Sequence, residues 1–371
     1  MFFVITIRKK VLIFLTVFII ISLLTVTGLG IYRAASLDVI NPNNPELTAY
    51  IEDVIKKRYE AILENNPEYL KPFYHLKSAN GINAYDHQVK KIKYLYEWSA
   101  KQGVTLTDID YNVTVRRINH KANGCAVNFS VFTTYSYAYK DQPDVTNGFK
   151  TGSYHSMDIS GANDNRIIQR EWYTDPFADS LNANLKTDSL TTIITAGQPK
   201  DFSSLNQRRK DALAYAEKYS GGSLDVSEGF LYNKKYKNYN YSGGDCTNFA
   251  SQVLYEGGKF KMNGTWGYFK EGTKAWVNAN ALKDYLLYSG RASTVAYGTY
   301  SQVLKASYLL QPGDIIAYCK KGKVAHISVV AGADSKGYTL VNCHNADRFK
   351  VPWDLGWNDS GITFRLIHVH Y

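Results

Sequence analysis

The sequence predicts an α+β fold, built as two modules behind an apolar N-terminal segment. Three observations lead to this prediction: two blocks in which helical patterns precede strand-like alternation, and one long uncharged stretch near the start. The chain has 371 residues, of which 45% are apolar and 20% charged, so it can bury a core and is not mainly disordered. We divide it into a segment at 1–36, a first module at 37–177, a linker at 178–206 and a second module at 207–371.

The N-terminal segment is predicted to be a transmembrane helix. Residues 11–32 carry no charge and would extend roughly 33 Å as a helix, enough for a hydrocarbon core of about 30 Å. Arg8, Lys9 and Lys10 precede this stretch, which favours a cytoplasmic N-terminus. The alternative is a cleaved signal peptide, although its apolar region normally has only about 7 to 15 residues. In either case we expect both modules to be extracellular, anchored in the cell membrane or secreted.

The first module is predicted to contain helices followed by an antiparallel meander. One apolar helical face is formed by Tyr50, Ile51, Val54, Ile55 and Tyr59. A second helical pattern covers 86–102, and period-two alternation then predicts strands at 109–115, 126–132, 151–159 and 166–173. This order resembles cystatin-like or NTF2-like accessory domains, which implies a spacer or a module that positions the substrate.

A cysteine at the start of a predicted helix is the main chemical feature of the second module. Gly243 and Gly244 allow a tight turn, and Asp245 is a good N-cap. Apolar side chains then recur at helical spacing in Cys246, Phe249, Ala250, Val253 and Leu254. The helix N-terminus is expected to lower the pKa of the thiol, whose thiolate form is the nucleophile. The ordinary alternative is a buried, inert cysteine.

Three strands are predicted near the C-terminus, at 315–319, 324–331 and 338–344, and they form an antiparallel meander. His326 lies in the middle strand. A lone histidine in an apolar strand is often only a core residue, but a reactive cysteine needs a base, and His326 is the candidate for Cys246.

The base in turn needs an orienting group, and the third strand offers two. If the hairpin closes with Gly332 opposite Tyr338, His326 faces His344. A shift by one pair on each side puts His326 opposite Asn342 instead. Either side chain could hold the imidazole in its useful tautomer.

Several ordered motifs in residues 206–371 resemble an amidase domain family of exported Gram-positive proteins. The motifs are Asp245-Cys246-Thr247-Asn248-Phe249, Gly313-Asp314-Ile315-Ile316, Ala325-His326 and Cys343-His344-Asn345-Ala346-Asp347-Arg348. That family is similar to the NlpC/P60 and CHAP group of cysteine hydrolases, which implies a papain-like fold with a central antiparallel sheet.

The resemblance also implies roles for individual residues. Cys246 would be the nucleophile, His326 the base and His344 the third polar residue. The family commonly has His-Thr or His-Ser before an Asp at the third position, whereas here Asn345 follows His344, so Asn342 stays open as the third member. The implied substrates are amide bonds of peptidoglycan, either within its peptides or between peptide and sugar.

The composition favours an anionic partner. Lys plus Arg number 43 against 33 Asp plus Glu, and the net charge of +10 suits anionic cell-wall polymers. We expect no nucleic-acid binding, because no such motif is present, and no cofactor. A zinc site made by Cys246, His326, Cys343 and His344 is disfavoured, because adjacent strand residues point to opposite faces. The alternative function is a catalytically inactive wall-binding or scaffold protein on the same fold.

Overall fold

The computed structural model describes residues 44–162, 165–185, 190–221 and 231–371. The predicted membrane segment at 11–32 lies outside these ranges. Within them, no helix combines the length and the apolar character that a membrane crossing requires. The described part is a mixed α and β structure with a large antiparallel sheet, as the sequence predicts.

The described helices and strands have the following bounds. The α-helices are α1 Pro45–Leu63, α2 Ala79–Gln102, α3 Leu190–Thr195, α4 Gln207–Tyr219, α5 Cys246–Gln252, α6 Lys274–Val277, α7 Ala279–Tyr288 and α8 Tyr300–Ser307. The strands are β1 Val104–Lys121, β2 Gly124–Tyr139, β3 Gln142–Ser160, β4 Ile167–Tyr173, β5 Ala292–Gly298, β6 Ile315–Lys320, β7 Lys323–Ala333, β8 Thr339–Cys343, β9 Arg348–Pro352 and β10 Ile362–Val369. Short 3-10 helices lie at Pro67–Phe73 and Ala178–Ser180, and a π-helical turn at Val253–Gly257 extends α5.

The two predicted meanders are parts of one continuous sheet. Its strand order is β1-β2-β3-β9-β8-β7-β6-β10-β5, and β4 also pairs with β3. The modules meet where Lys150 of β3 opposes Phe349 of β9 and Thr151 opposes Arg348. Farther along, His155–Ser160 of β3 pair with β4. One edge of β3 pairs with β2 along its length. The opposite edge of β3 pairs with β9 at one end and with β4 at the other, so the sheet forks between β9 and β4.

The first two helices pack on one face of β1 to β3. The predicted apolar face of α1 is confirmed: Tyr50 is partly buried, and the buried members are Ile51, Val54, Ile55 and Tyr59. The second helix begins earlier than predicted, at Ala79, because the Ser78 side chain accepts a hydrogen bond from the Gly81 N–H and caps it.

A buried polar network fastens α1 to the sheet. Arg58 donates to both carboxylate oxygens of Glu171, at 2.9 and 2.5 Å. His155 lies 3.0 Å from Glu171 through Nδ1 and 2.8 Å from the Ser153 hydroxyl through Nε2. The Arg58 guanidinium and the Glu171 carboxylate have opposite charges, and their attraction offsets part of the cost of burying them.

The second core lies between the helices of the second module and the sheet. Its strand side chains alternate along β6, β7 and β10, and they include Ile315, Ala317, Ile327, Val329 and Ile367. Arg209 of α4 fixes the helix to this sheet. Its guanidinium donates to Asp314 at 2.8 Å and to the Val369 carbonyl at 2.7 Å, and the ion pair is almost fully buried.

Residues 178–206, predicted to be a linker, contain packed structure where the structure describes them. They include the short helix α3, whose Ile194 is buried. Thr191 donates a hydrogen bond to the Lys101 carbonyl at 2.8 Å. A buried ion pair between Lys101 and Asp354, 2.5 Å apart, also ties α2 to the second module. The two modules therefore share buried contacts as well as a sheet.

Candidate active site

The turn before α5 positions Cys246. Gly243 and Gly244 both have left-handed φ values, +102° and +106°, that favour glycine. A Cβ on Gly244 would lie 3.0 Å from the Asn345 amide nitrogen, so the turn packs closely on the loop that follows β8. The predicted helix start at Cys246 is confirmed. The Asp245 side chain, however, makes no capping hydrogen bond, because other groups use its carboxylate.

Cys246 is the first residue of α5 and is buried against β7. Its side chain is 6% exposed, and the sulfur lies 3.7 Å from the Thr247 hydroxyl and beside the Ile327 backbone N–H. Burial raises the pKa of the thiol, although the Ile327 N–H and the Thr247 hydroxyl act in the opposite direction. The predicted lowering of this pKa is therefore wrong for the structure described, in which desolvation outweighs the helix terminus.

His326 lies one residue before Ile327 but points away from α5. Its ring stacks on Trp357 at 5.0 Å and contacts Tyr318 at 5.5 Å, and Nε2 has no hydrogen-bond partner among the described residues. Burial holds the pKa of His326 well below its usual range, and the Arg348 and Lys320 charges add to this effect. The imidazole is therefore neutral. No hydrogen bond joins it to Cys246 in the part of the chain described.

The predicted register of the β7–β8 hairpin is wrong. Gly332 opposes Leu340 instead of Tyr338, and Val329 opposes Asn342. Between Val330 and Gly332 the register shifts by one residue. Relative to the predicted register, this shift places the β8 side chains on the opposite face of the sheet. Asn342 thus shares the face of Val329 and α5, whereas His326 lies on the opposite face.

Both predicted orienting residues consequently bond elsewhere. The Asn342 amide donates to the Ala216 carbonyl at 3.2 Å and accepts from the Lys350 N–H at 2.7 Å. Neither Asn342 nor His344 contacts the ring of His326 in the described structure, because the odd register separates them by the thickness of the sheet. Asn342 thus joins α4 to β9.

His344 forms a buried ion pair with the residue that precedes Cys246. Its Nδ1 lies 2.6 Å from an Asp245 carboxylate oxygen, and its Nε2 lies 2.5 Å from the Tyr219 carbonyl. Both partners are acceptors, so the two hydrogen bonds form together only when each ring nitrogen carries a proton. Tyr232 and Phe249 sandwich the ring at 3.9 and 4.3 Å. The pair fastens the start of α5 to the end of β8.

Asp245 is a site residue whose role the sequence reasoning missed. Besides His344, its carboxylate accepts hydrogen bonds from the Tyr239 N–H at 2.8 Å and from the Asn248 amide at 2.9 Å. Asn248 in turn accepts from the Trp276 indole at 2.8 Å. The position of Asp245 directly before the cysteine is the available signal, but the local pattern predicts only an N-cap there.

A cleft opens at the fork of the sheet, between the two modules. This inter-module cleft has a volume of about 600 Å³. Its lining includes Asn128, Tyr154 and Trp172 of the first module and Tyr232, Asn345 and Asp347 of the second. Asn345 also touches the Gly244 turn, so the cleft adjoins the segment that carries Cys246. The sequence did not predict this cleft, because its two walls are more than 50 residues apart in the chain.

Asp347 is a buried acid at this cleft, and we expect it to make stability depend on pH. Burial raises its pKa to about 7 from an ordinary 3.8; nearby Asp245 adds to this, whereas His344 and the Tyr232 hydrogen bond oppose it. The native state thus keeps a proton that the unfolded chain loses between these values. The stability contributed by this group is therefore lost as pH rises from about 4 to about 7.

Replacing Asp347 by asparagine should remove this dependence. At pH 8 the variant should gain up to about 4 kcal/mol in free energy of unfolding, since one pKa unit corresponds to about 1.4 kcal/mol. At pH 4 it should match the parent. Urea unfolding at both pH values measures this, with Asp359→Asn at an exposed site as the control. A stability difference that is the same at both pH values would contradict the assignment.

No metal site is found in the described ranges, where no group of three or more His, Cys, Asp or Glu side chains is arranged to hold an ion. The four cysteines are all free and buried. Cys343 is similar to Cys246 in its surroundings. Burial raises the pKa of the Cys343 thiol to about 11, and the nearby Cys246 sulfur raises this pKa further. It is therefore the natural control for any test of Cys246.

Comparison with known proteins shows that the second module is similar to an amidase domain. Residues 206–367 match the family model described as "Putative amidase domain". The chain is 33% identical to the protein YjcM of Bacillus subtilis (strain 168) over 188 residues, which are 47% of this chain and 38% of that protein. It is 29% identical to YhbB of the same strain over 183 residues, 46% of this chain and 56% of that protein. The chain thus spans less than two thirds of either relative, and its residues 206–367 are similar to an amidase domain.

Proposed function

We propose that this protein is an exported, membrane-anchored cysteine amidase that hydrolyses amide bonds of cell-wall peptidoglycan. The observation that carries the proposal is the position of the Cys246 sulfur beside the backbone of the strand that bears His326, within a segment that matches an amidase domain. The net charge of +10 supports an anionic wall as the setting. The predicted membrane segment at 11–32 supports export, and the papain-like character of the second module is part of the same proposal.

In the proposed reaction, His326 takes the proton of the Cys246 thiol while the sulfur attacks the amide carbonyl. The imidazole then protonates the leaving amine, and water hydrolyses the thioester. Because burial keeps the thiol protonated and the imidazole neutral, no thiolate–imidazolium pair exists beforehand, and proton transfer accompanies attack. The backbone N–H of Cys246 is our proposed donor to the oxyanion.

This reaction requires His326 to reach the sulfur around the edge of β7. The pairing of β7 with β8 begins only at Val329, so no described strand pairs with the edge beside residues 326 and 327. The Nε2 atom of His326 has no hydrogen-bond partner among the described residues, and the imidazole stacks on the ring of Trp357. Binding of substrate would therefore have to displace Trp357 and turn the imidazole, and catalytic hydrogen bonds commonly tighten in this way only in the complex.

A second candidate function is a catalytically inactive wall-binding or scaffold protein. The observation that favours it is burial, because Cys246 is 6% and His326 is 3% exposed. In that case the buried thiol and imidazole would be core residues. The same experiment separates the two functions.

The test is incubation of the full-length chain, purified in detergent, with purified peptidoglycan. We expect new primary amines and soluble peptides in the supernatant, without new reducing sugar ends, because an amidase leaves the glycosidic bonds intact. A heat-unfolded sample is the control. Wall binding without any released product would support the scaffold, and new reducing ends without amines would overturn the assignment of an amidase.

A further inference from the structure

We propose that the inter-module cleft binds a neutral carbohydrate, namely a glycan strand of β-linked, N-acetylated sugars. The choice of a wall glycan rests on the proposed function. The binding itself needs neither Cys246 nor His326, so it can be tested apart from catalysis.

Two exposed aromatic rings line the cleft, one from each module. Trp172 of β4 is 64% exposed, and Tyr241 of the loop before α5 is 91% exposed. Such rings have faces with negative charge density, which attract the positively polarised C–H groups on the flat side of a sugar. Large apolar side chains that converge on a cavity usually mark a binding surface.

The polar groups of the cleft are mainly neutral. Asn128, Asn240 and Asn345 contribute amides from both modules, and each amide can donate and accept. The Asn240 amide donates to the Tyr232 hydroxyl at 2.9 Å, but its Oδ1 is buried and has no partner in the described ranges. An acceptor without a donor fits a sugar hydroxyl or the N–H of an acetamido group.

Charged side chains are few among the described residues that line the cleft, and Arg116 and Asp347 are two of them. Arg116 donates through Nε to the Ser130 hydroxyl at 3.1 Å, and Asp347 accepts from the Tyr232 hydroxyl at 2.5 Å. A site for the peptides of the wall, which carry carboxylates and amines, would present several charged partners. The volume of about 600 Å³ is within the range of roughly 300–1,000 Å³ that is usual for ligand sites. The neutral amides and rings therefore favour sugar over peptide.

The position of the cleft gives this binding a role. Asn345 lies against Gly244, two residues before Cys246. A glycan held in the cleft would carry its attached peptide past the turn that bears the nucleophile, so the first module would position the amide for attack.

The experiment is calorimetric titration of the full-length Cys246→Ala chain with the tetramer of N-acetylglucosamine. We expect measurable binding, and an increase in Kd of at least about tenfold in the added variant Trp172→Ala. Phe269→Ala is the matched control, because Phe269 is 67% exposed but does not line the cleft. Its Kd should be unchanged, and thermal unfolding checks that both variants fold.

A free wall peptide without sugar, titrated in parallel, completes the test. Absence of tetramer binding at millimolar concentration, or an equal Kd in the Trp172→Ala variant, would overturn the proposal. Binding of the peptide alone, lost on Trp172→Ala, would also overturn it in favour of a peptide site. Tetramer binding by a chain that hydrolyses no amide would uphold this inference and refute the proposed catalysis, whereas amide hydrolysis without tetramer binding would do the reverse.

Discussion

Replacement of Cys246 by alanine is expected to lower kcat/KM for amide hydrolysis at least about a thousandfold. The reason is that the proposed reaction forms a bond to the sulfur, and loss of a nucleophile leaves only the contributions of binding and the oxyanion donor. Because the side chain is small and 6% exposed, the variant should fold. Initial rates of amine release from peptidoglycan fragments, measured with the full-length chain, give the ratio.

Cys343→Ala is the matched control for this prediction. Cys343 is also buried and free, and lies in the same region of the sheet, yet the proposed reaction does not use it. We expect its kcat/KM to stay within about threefold of the parent. Equal losses in the two variants would mean that the effect comes from packing, and the nucleophile would have to be sought elsewhere.

Replacement of Asp245 by alanine is expected to lower the free energy of unfolding by about 3 to 5 kcal/mol. The substitution removes the acceptor for three hydrogen bonds and leaves the ring of His344 buried without its Asp245 partner. Breaking a buried pair by removing one partner costs this much, because the remaining polar group stays desolvated without its partner. Urea unfolding at pH 7 measures the loss.

Two further variants test the cause of that loss. Asp245→Asn keeps an acceptor for Tyr239 and Asn248 and lets a neutral His344 accept at Nδ1, so it should lose only roughly 1 to 3 kcal/mol. Asp144→Ala, at an exposed site, should lose less than about 0.5 kcal/mol. If Asp245→Ala were no less stable than Asp144→Ala, the ion pair would not be what holds the start of α5.

Local pattern was sufficient to predict most elements of the fold. The apolar face from Ile51 to Tyr59, the helix that starts at Cys246 and the strand around His326 all depend on spacing within one element, and the structure has each of them. The joining of the two meanders into one sheet depends on the pairing of β3 with β9, which are far apart in sequence. No periodicity within either strand contains that information.

The candidate site was predictable in its residues but not in its contacts. One bulge near Gly332 shifts the register of the hairpin by one residue. This shift alone places His344 and Asn342 on the face of the sheet opposite to His326. The direction of the Cys246 pKa shift likewise depends on burial against β7, which outweighs the helix terminus. The role of Asp245 follows from the arrival of His344 beside it, again a tertiary event.

The most direct test of the central claim is the mass of the Cys246 peptide after the reaction with an amide substrate is quenched in acid. We expect an added acyl group on Cys246, released by hydroxylamine as expected for a thioester, and no such group on Cys343. Turnover that continues undiminished after Cys246→Ala, or an acyl group found on another side chain, would contradict it.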